Sequence, residues 1–367
     1  LTKVQSRGTE NVGQGSSNLL INGAMNVSQR GTSQAIAHDG TTNAYLIDRW
    51  RFVINSTDEL DGTYAQVADD PLGGDGKALK WTTGTAESAI ASDEYGYFTQ
   101  KIEAQNLQHI QNGNANAESL TLSFYVKSSI TGTFAVGLYK PDNTARIFNK
   151  TYTINSANTW EKKTVTFVGD TSGGGIDNNT GEGFWVNWHI FAGGDYKGGG
   201  ATSGWTDYAN NKWADGQATD AVATTAGATW LMTQCQLEVG SQASDFQHED
   251  FGTTLSKCER YYFVLADGGA DSGEQIGNQY GYSGGQSEGI VRWGEMRASP
   301  SLKHPTGSAY YAIDSQGDTN TFNSLLSYKF TQRSGLLYKT GLSITQGRSY
   351  RFFLNNASAY VHLDAEL

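Results

Sequence analysis

Glu118-Ser-Leu-Thr-Leu-Ser-Phe-Tyr-Val-Lys127 alternates without a break, placing Leu120, Leu122, Phe124 and Val126 on one side of an extended chain. Gly183-Phe-Trp-Val-Asn-Trp-His-Ile-Phe191 repeats the pattern with Phe184, Val186, Trp188 and Ile190. A period of two over this length predicts strands with one face in a core and the other in water. No stretch of comparable strength carries the period of a helix. The reading is an all-β, sandwich-like protein whose function sits on loops and exposed faces.

Working outward, Phe134-Ala-Val-Gly-Leu-Tyr139 and Lys163-Thr-Val-Thr-Phe-Val168 read as further short strands, and Tyr45 to Ile54 reads as one strand that gathers Leu46, Trp50, Phe52 and Ile54. Strand segments recurring between residues 18 and 245 predict a two-sheet jelly roll over 18–250. Residues 1–17 are polar, without periodicity, and read as an arm or connector. The chain from 251 to 367 reads as a smaller C-terminal β-sandwich, with strands near Tyr261–Leu265, Gly289–Trp293, Ser308–Ile313, Ser349–Leu354 and Ala359–Leu363. A short helix is expected from Thr254 to Tyr262, where Ser256 and Glu259 have capping-box spacing.

Composition narrows the function classes. The 367 residues carry a formal charge of −11, with 45 Gly and only 4 Pro. That balance fits many turns built on positive φ rather than Pro-rich linkers. A nucleic-acid binder needs a concentrated basic footprint, and none is visible. No apolar run is long enough to span a bilayer as a helix. Cys235 and Cys258, the two cysteines, are too few for a disulfide framework or a four-cysteine zinc site. Cys235 shares a face with Leu231, Leu237 and Val239 and reads as a buried free thiol, with a Cys235–Cys258 bridge as the alternative.

Several blocks carry a family likeness. Asn18-Leu-Leu-Ile-Asn-Gly-Ala-Met25, Ser28-Gln-Arg-Gly31 and Asp48-Arg-Trp50 resemble the opening of bacteriophage tail-fibre and virion appendage proteins. Gln100–Glu103, Leu122–Ser128, Cys235–Ser241, Leu255-Ser-Lys-Cys-Glu-Arg-Tyr-Tyr262, Glu295–Pro300 and Leu363–Leu367 resemble blocks that follow in the same order, with Glu259 where that family usually has Gln. The resemblance implies a carbohydrate-binding-module-like jelly roll and a C-terminal β domain. It also implies a place on a virion, an extracellular particle assembled from protein made in a bacterial cytoplasm. On it, residues 1–17 dock to other virion proteins and the β domains adhere to a host cell-surface glycan without catalysis. Members of that family often trimerise; this chain shows no heptad or β-helix repeat that would drive a trimer. Two alternatives are a head, neck or shaft protein with purely structural contacts, and a polysaccharide depolymerase or its binding module.

Gly281-Tyr-Ser-Gly-Gly285 matches a nucleophile-elbow pattern, but its flanks lack the strand-to-helix context and read as a hairpin loop. The six histidines are scattered without zinc spacing, and His189 and His362 read as ordinary residues on outward strand faces. Asp267, Asp271 and Glu274 place three carboxylates on one loop, where hard oxygen ligands would suit Ca²⁺; Asp69, Asp70 and Asp75 form a similar cluster. The strongest binding candidate is the long segment from Gly193 to about Thr225, which breaks the strand rhythm. Sugars pack their C–H faces on aromatic rings while polar side chains take the hydroxyls. Tyr196, Trp205, Tyr208 and Trp213, with Asp207 and Asn210, have that composition. The competing reading makes the same rings a lid on the sandwich or a subunit contact.

Overall fold

The computed structural model describes residues 18–37, 40–56, 59–268 and 273–367; the arm expected over 1–17 lies outside them. The protein is all-β, and its chain divides into two compact units after Phe251.

In the first unit the strands are β1 (Ser33–Ile36), β2 (Gly40–Tyr45), β3 (Arg51–Ser56), β4 (Gly62–Ala68), β5 (Lys77–Thr83), β6 (Tyr95–Glu103) and β7 (Leu120–Ser128). They continue as β8 (Gly132–Lys140), β9 (Arg146–Ile154), β10 (Glu161–Phe167), β11 (Glu182–Ala192), β12 (Thr206–Asp207) and β13 (Thr229–Val239). They form two antiparallel sheets, ordered β1-β4-β5-β13-β7-β10 and β12-β9-β8-β11-β6-β3-β2. The two sheets face one another as a jelly-roll sandwich. Phe52 meets Trp81 at 4.7 Å between ring centroids, Phe124 meets Trp188 at 5.9 Å, and Phe98 stacks on Trp230 at 5.6 Å. Each pair joins one sheet to the other. Burying rings of this size supplies much of the drive for folding, on the order of 2–3 kcal/mol each.

The alternation at Leu120–Val126 and Phe184–Ile190 does point those residues into this core. Tyr45–Ile54, however, is two strands and a turn. The chain reverses between β2 and β3 through Arg49, whose φ is +72°. The turn folds Leu46 and Trp50 into the same core that one continuous strand would have reached. Cys235 and Cys258 are both buried and not joined in a disulfide, and burial pushes the Cys235 thiol pKa up.

A helix at Phe251–Glu259, all but its first residue in the second unit, is displaced toward the N-terminus from the expected 254–262. Thr254 and Cys258, four residues apart, form its buried stripe. A three-stranded sheet follows, Tyr262–Asp267 and Ser301–Lys303 flanking Tyr360–Asp364, together with a seven-stranded antiparallel sheet. One core, including Val361 and Leu363 from the first and Tyr311, Phe352 and Leu337 from the second, packs between them. The 281–285 motif covers the end of strand Gln275–Ser283 and the two-residue turn to strand Gln286–Arg292, a hairpin. His362 is buried, its Nδ1 2.5 Å from the Tyr262 hydroxyl.

Candidate functional site, an aromatic cleft on the seven-stranded sheet

Residues on β6, β8 and β11 that point away from the core build a second aromatic cluster. Tyr95 and Tyr97 come from β6, Tyr139 from β8 and Trp185 from β11. In the strand register Trp185 lies opposite Tyr139 on one side and Lys101 on the other, while Tyr97 lies opposite His189. The segment after β11 then folds back over this face and adds Tyr196, Tyr208 and Trp213. Trp213 is the keystone. Its ring lies 5.4 Å from Tyr97, 5.2 Å from Tyr139, 6.0 Å from Trp185, 6.1 Å from His189 and 5.8 Å from Tyr208.

The segment is tied down by its own polar groups. Buried Asp215 accepts the backbone N–H groups of Gly198 and Ala201 at 2.9 and 2.5 Å. Asp220 accepts from the Ala192 N–H and from Lys197 Nζ, and Asn149 Nδ2 donates to the Lys212 carbonyl at 2.6 Å. What remains open is a cleft of about 290 Å³ lined by Tyr95, Tyr97, Tyr139, Trp185, Tyr196, Tyr208, Asn210 and Trp213. Seven of its eight lining residues are aromatic, and Tyr208 donates its hydroxyl to Asn210 Oδ1 at 3.0 Å.

Electrostatically the cleft is quiet. Burial raises the pKa of Tyr95, Tyr97, Tyr139, Tyr196 and Tyr208, so all five remain neutral phenols near neutral pH. Lys101, buried beside Trp185, has its pKa lowered by desolvation, partly offset by Glu182. Glu182 accepts from Lys101 Nζ at 2.6 Å and from Trp185 Nε1 at 2.9 Å, which fixes the indole. His189 does not face water as its strand position suggested: the returning segment buries it completely. Desolvation brings its pKa down to about 3, against a weaker opposing pull from the Trp213 backbone.

Of the residues nominated from sequence, Tyr196, Tyr208, Asn210 and Trp213 meet at this cleft. Trp205 and Asp207 do not line it. Trp205 stacks on Phe184 at 5.8 Å and donates its N–H to the Val168 carbonyl, closing an edge of the main core. Asp207 is exposed on β12 and ion-paired with Arg146 at 2.8 Å. The sequence reading missed Tyr95, Tyr97, Tyr139 and Trp185. Their signal was present: Tyr95-Gly-Tyr97 repeats an aromatic at the spacing of one strand face, and Trp185 alternates with the core residues of β11. Among the acidic candidates, Asp271 lies outside the described residues, and Glu274 accepts the backbone N–H of Asp267 at 2.7 Å. Asp69 is bonded to Lys127 and Trp160, and Asp70 accepts from the Leu72 N–H. Among the described residues no three His, Cys, Asp or Glu side chains gather as a metal site.

No protein-family model and no curated protein matches the chain. Among solved structures it is similar to the enzymatically active domain of tailspike protein 4 of bacteriophage CBA120, with 12% identity, a TM-score of 0.31, and coverage of 60% of this chain and 21% of that one. The stretch shared with the tailspike is thus about a fifth of that protein's length. It is also similar to a family 11 carbohydrate-binding module from Clostridium thermocellum in complex with a β-1,3-1,4-mixed-linked tetrasaccharide (10% identity, TM-score 0.28, 58% of this chain and 98% of that one). The tandem CBM22 domains of Xyn10C from Paenibacillus barcinonensis share 10% identity at a TM-score of 0.28, over 95% of this chain and 96% of theirs.

Proposed function

We propose that the protein binds glycans without catalysis through the aromatic cleft of its first unit. One observation carries this reading: an open cleft of about 290 Å³ walled by seven aromatic side chains on a sheet face, with an amide at its rim. Aromatic walls suit the apolar faces of sugar rings, and the phenol and amide groups suit the hydroxyls. Glu182, the carboxylate bonded to the wall residue Trp185, is ion-paired with Lys101, a placement that suits holding the indole in a binding site rather than acid–base work on a sugar.

The finer proposal is that the chain is a tail-fibre or receptor-binding component of a phage virion, made in a bacterial cytoplasm and carried on the extracellular particle. What supports it is the ordered set of sequence blocks from Asn18 to Leu367. In that setting residues 1–17 would dock to other virion proteins. Several copies, as in a trimer, would turn weak single sites into firm adhesion.

A printed array of bacterial-surface and plant-wall glycans tests the first proposal; absence of any bound glycan would sink it. Competition of phage adsorption by the soluble protein tests the second. Release of new reducing ends from a bound polysaccharide would replace binding with depolymerisation.

A further inference from the structure

On the outward face of the seven-stranded sheet a single line of residues crosses five strands. Asn149 on β9 lies opposite Gly137 on β8, Gly137 opposite Asn187 on β11, Asn187 opposite Thr99 on β6, and Thr99 opposite Arg51 on β3. Trp185 and His189 flank Asn187 along β11, and both lie within 6.1 Å of the Trp213 ring. The indole therefore covers Asn187. Asn149, Asn187 and Thr99 are at most 1% exposed. Yet Asn149 Oδ1, both amide atoms of Asn187, Thr99 Oγ1 and Arg51 Nε meet no hydrogen-bond partner within the protein. Gly137 leaves the room this needs, since a Cβ there would stand 2.0 Å from Asn149 Oδ1.

Buried polar groups are almost always hydrogen-bonded. Asn187 lies under the displaceable Trp213 ring, and the unpaired atoms of Thr99 and Asn149 follow it in the row, next to an open cleft; together they form a site whose partners come from outside the chain. Resting on the glycan-binding reading, we propose that this row is the floor of a buried sugar subsite, which Trp213 fills in the unliganded protein and vacates by a rotamer change. A neutral sugar ring then takes the indole's place between Tyr97, Tyr139 and Trp185, and its hydroxyls pair with Asn187, Thr99 and Asn149. Asn187, Thr99 and Asn149 supply uncharged donors and acceptors, as an uncharged polyol requires. The backbone stays anchored through Asn149 and Asp215 while the side chain swings.

The test uses the full chain, the glycan array, and calorimetry with the best-bound oligosaccharide. Asn187→Leu, with Thr99→Val as a near-isosteric second variant, should weaken affinity at least tenfold without lowering Tm, because each removes an unpaired buried group. Trp213→Ala should tighten binding several-fold, because the ligand no longer displaces the ring. Wild-type affinity in folded Asn187→Leu and Thr99→Val would overturn the subsite while leaving the cleft reading intact. Weaker binding by Trp213→Ala would make the indole a platform rather than a plug and would equally overturn it. A lowered Tm with unchanged affinity in the floor variants would show a structural water network instead. A wild-type protein that binds no glycan on the array would remove the subsite together with the function it rests on.

Discussion

Lys101 Nζ stands 4.0 Å from the centroid of the Trp185 ring, its register partner across β6 and β11. The ammonium thus engages the indole from one direction, while Glu182 pins it through the N–H. The ring is thereby fixed in the cleft wall. Trp185→Ala should reduce glycan affinity about 30-fold, near 2 kcal/mol. Glu182→Gln should give a smaller loss, because it loosens the indole and unpairs Lys101 without removing either. Calorimetry on the two variants checks the order.

Trp205→Ala separates core from cleft. The ring packs on Phe184 and Phe148 at the edge of the main core. Its removal should cost about 2–3 kcal/mol of stability and leave glycan affinity within twofold of wild type. Denaturant melts and the same binding assay decide the matter.

His189 makes stability depend on pH. Its pKa falls from 6.5 to about 3 on burial, so the unfolded chain holds the extra proton throughout that interval and the folded protein does not. Stability from this residue is complete above about pH 6.5 and declines as pH falls toward 3. Tyr97 and Trp213 are the aromatic side chains packed against it, and neither carries charge there. His189→Leu should flatten the difference between pH 7 and pH 3.5 by roughly 3–5 kcal/mol. Urea midpoints across that range, compared with wild type, measure it.

Gly137→Ala strikes the floor and its tether together. The new methyl meets Asn149 Oδ1 and must push the amide off the Lys212 carbonyl that it now holds. A loss of about 1–3 kcal/mol is expected, together with faster proteolysis within residues 193–225. Limited proteolysis followed by mass mapping would detect the loosening.

The alternations at Leu120–Val126 and Phe184–Ile190 were enough to identify strands and to say which side chains enter the core. Composition alone also picked out Tyr196, Tyr208, Asn210 and Trp213. The other half of the cleft was hidden in plain strand positions. Trp185, Asn187 and His189 alternate with core residues and read as water-facing, because a period of two says nothing about what later covers the outward face. The turn at Arg49 was hidden for a related reason: Leu46 and Trp50 are apolar whether they enter the core along a strand or around a bend.

Local chain chemistry by itself determined that this protein is nearly all β and which rings of its two most regular strands form its interior. Only the tertiary structure decided that residues 193–225 return over the seven-stranded sheet, roofing Asn187 with Trp213 and turning an outward face into a cleft. That pairing joins residues from five strands and one long connection. It depends on long-range packing and sheet order, which neighbouring residues in the chain do not encode.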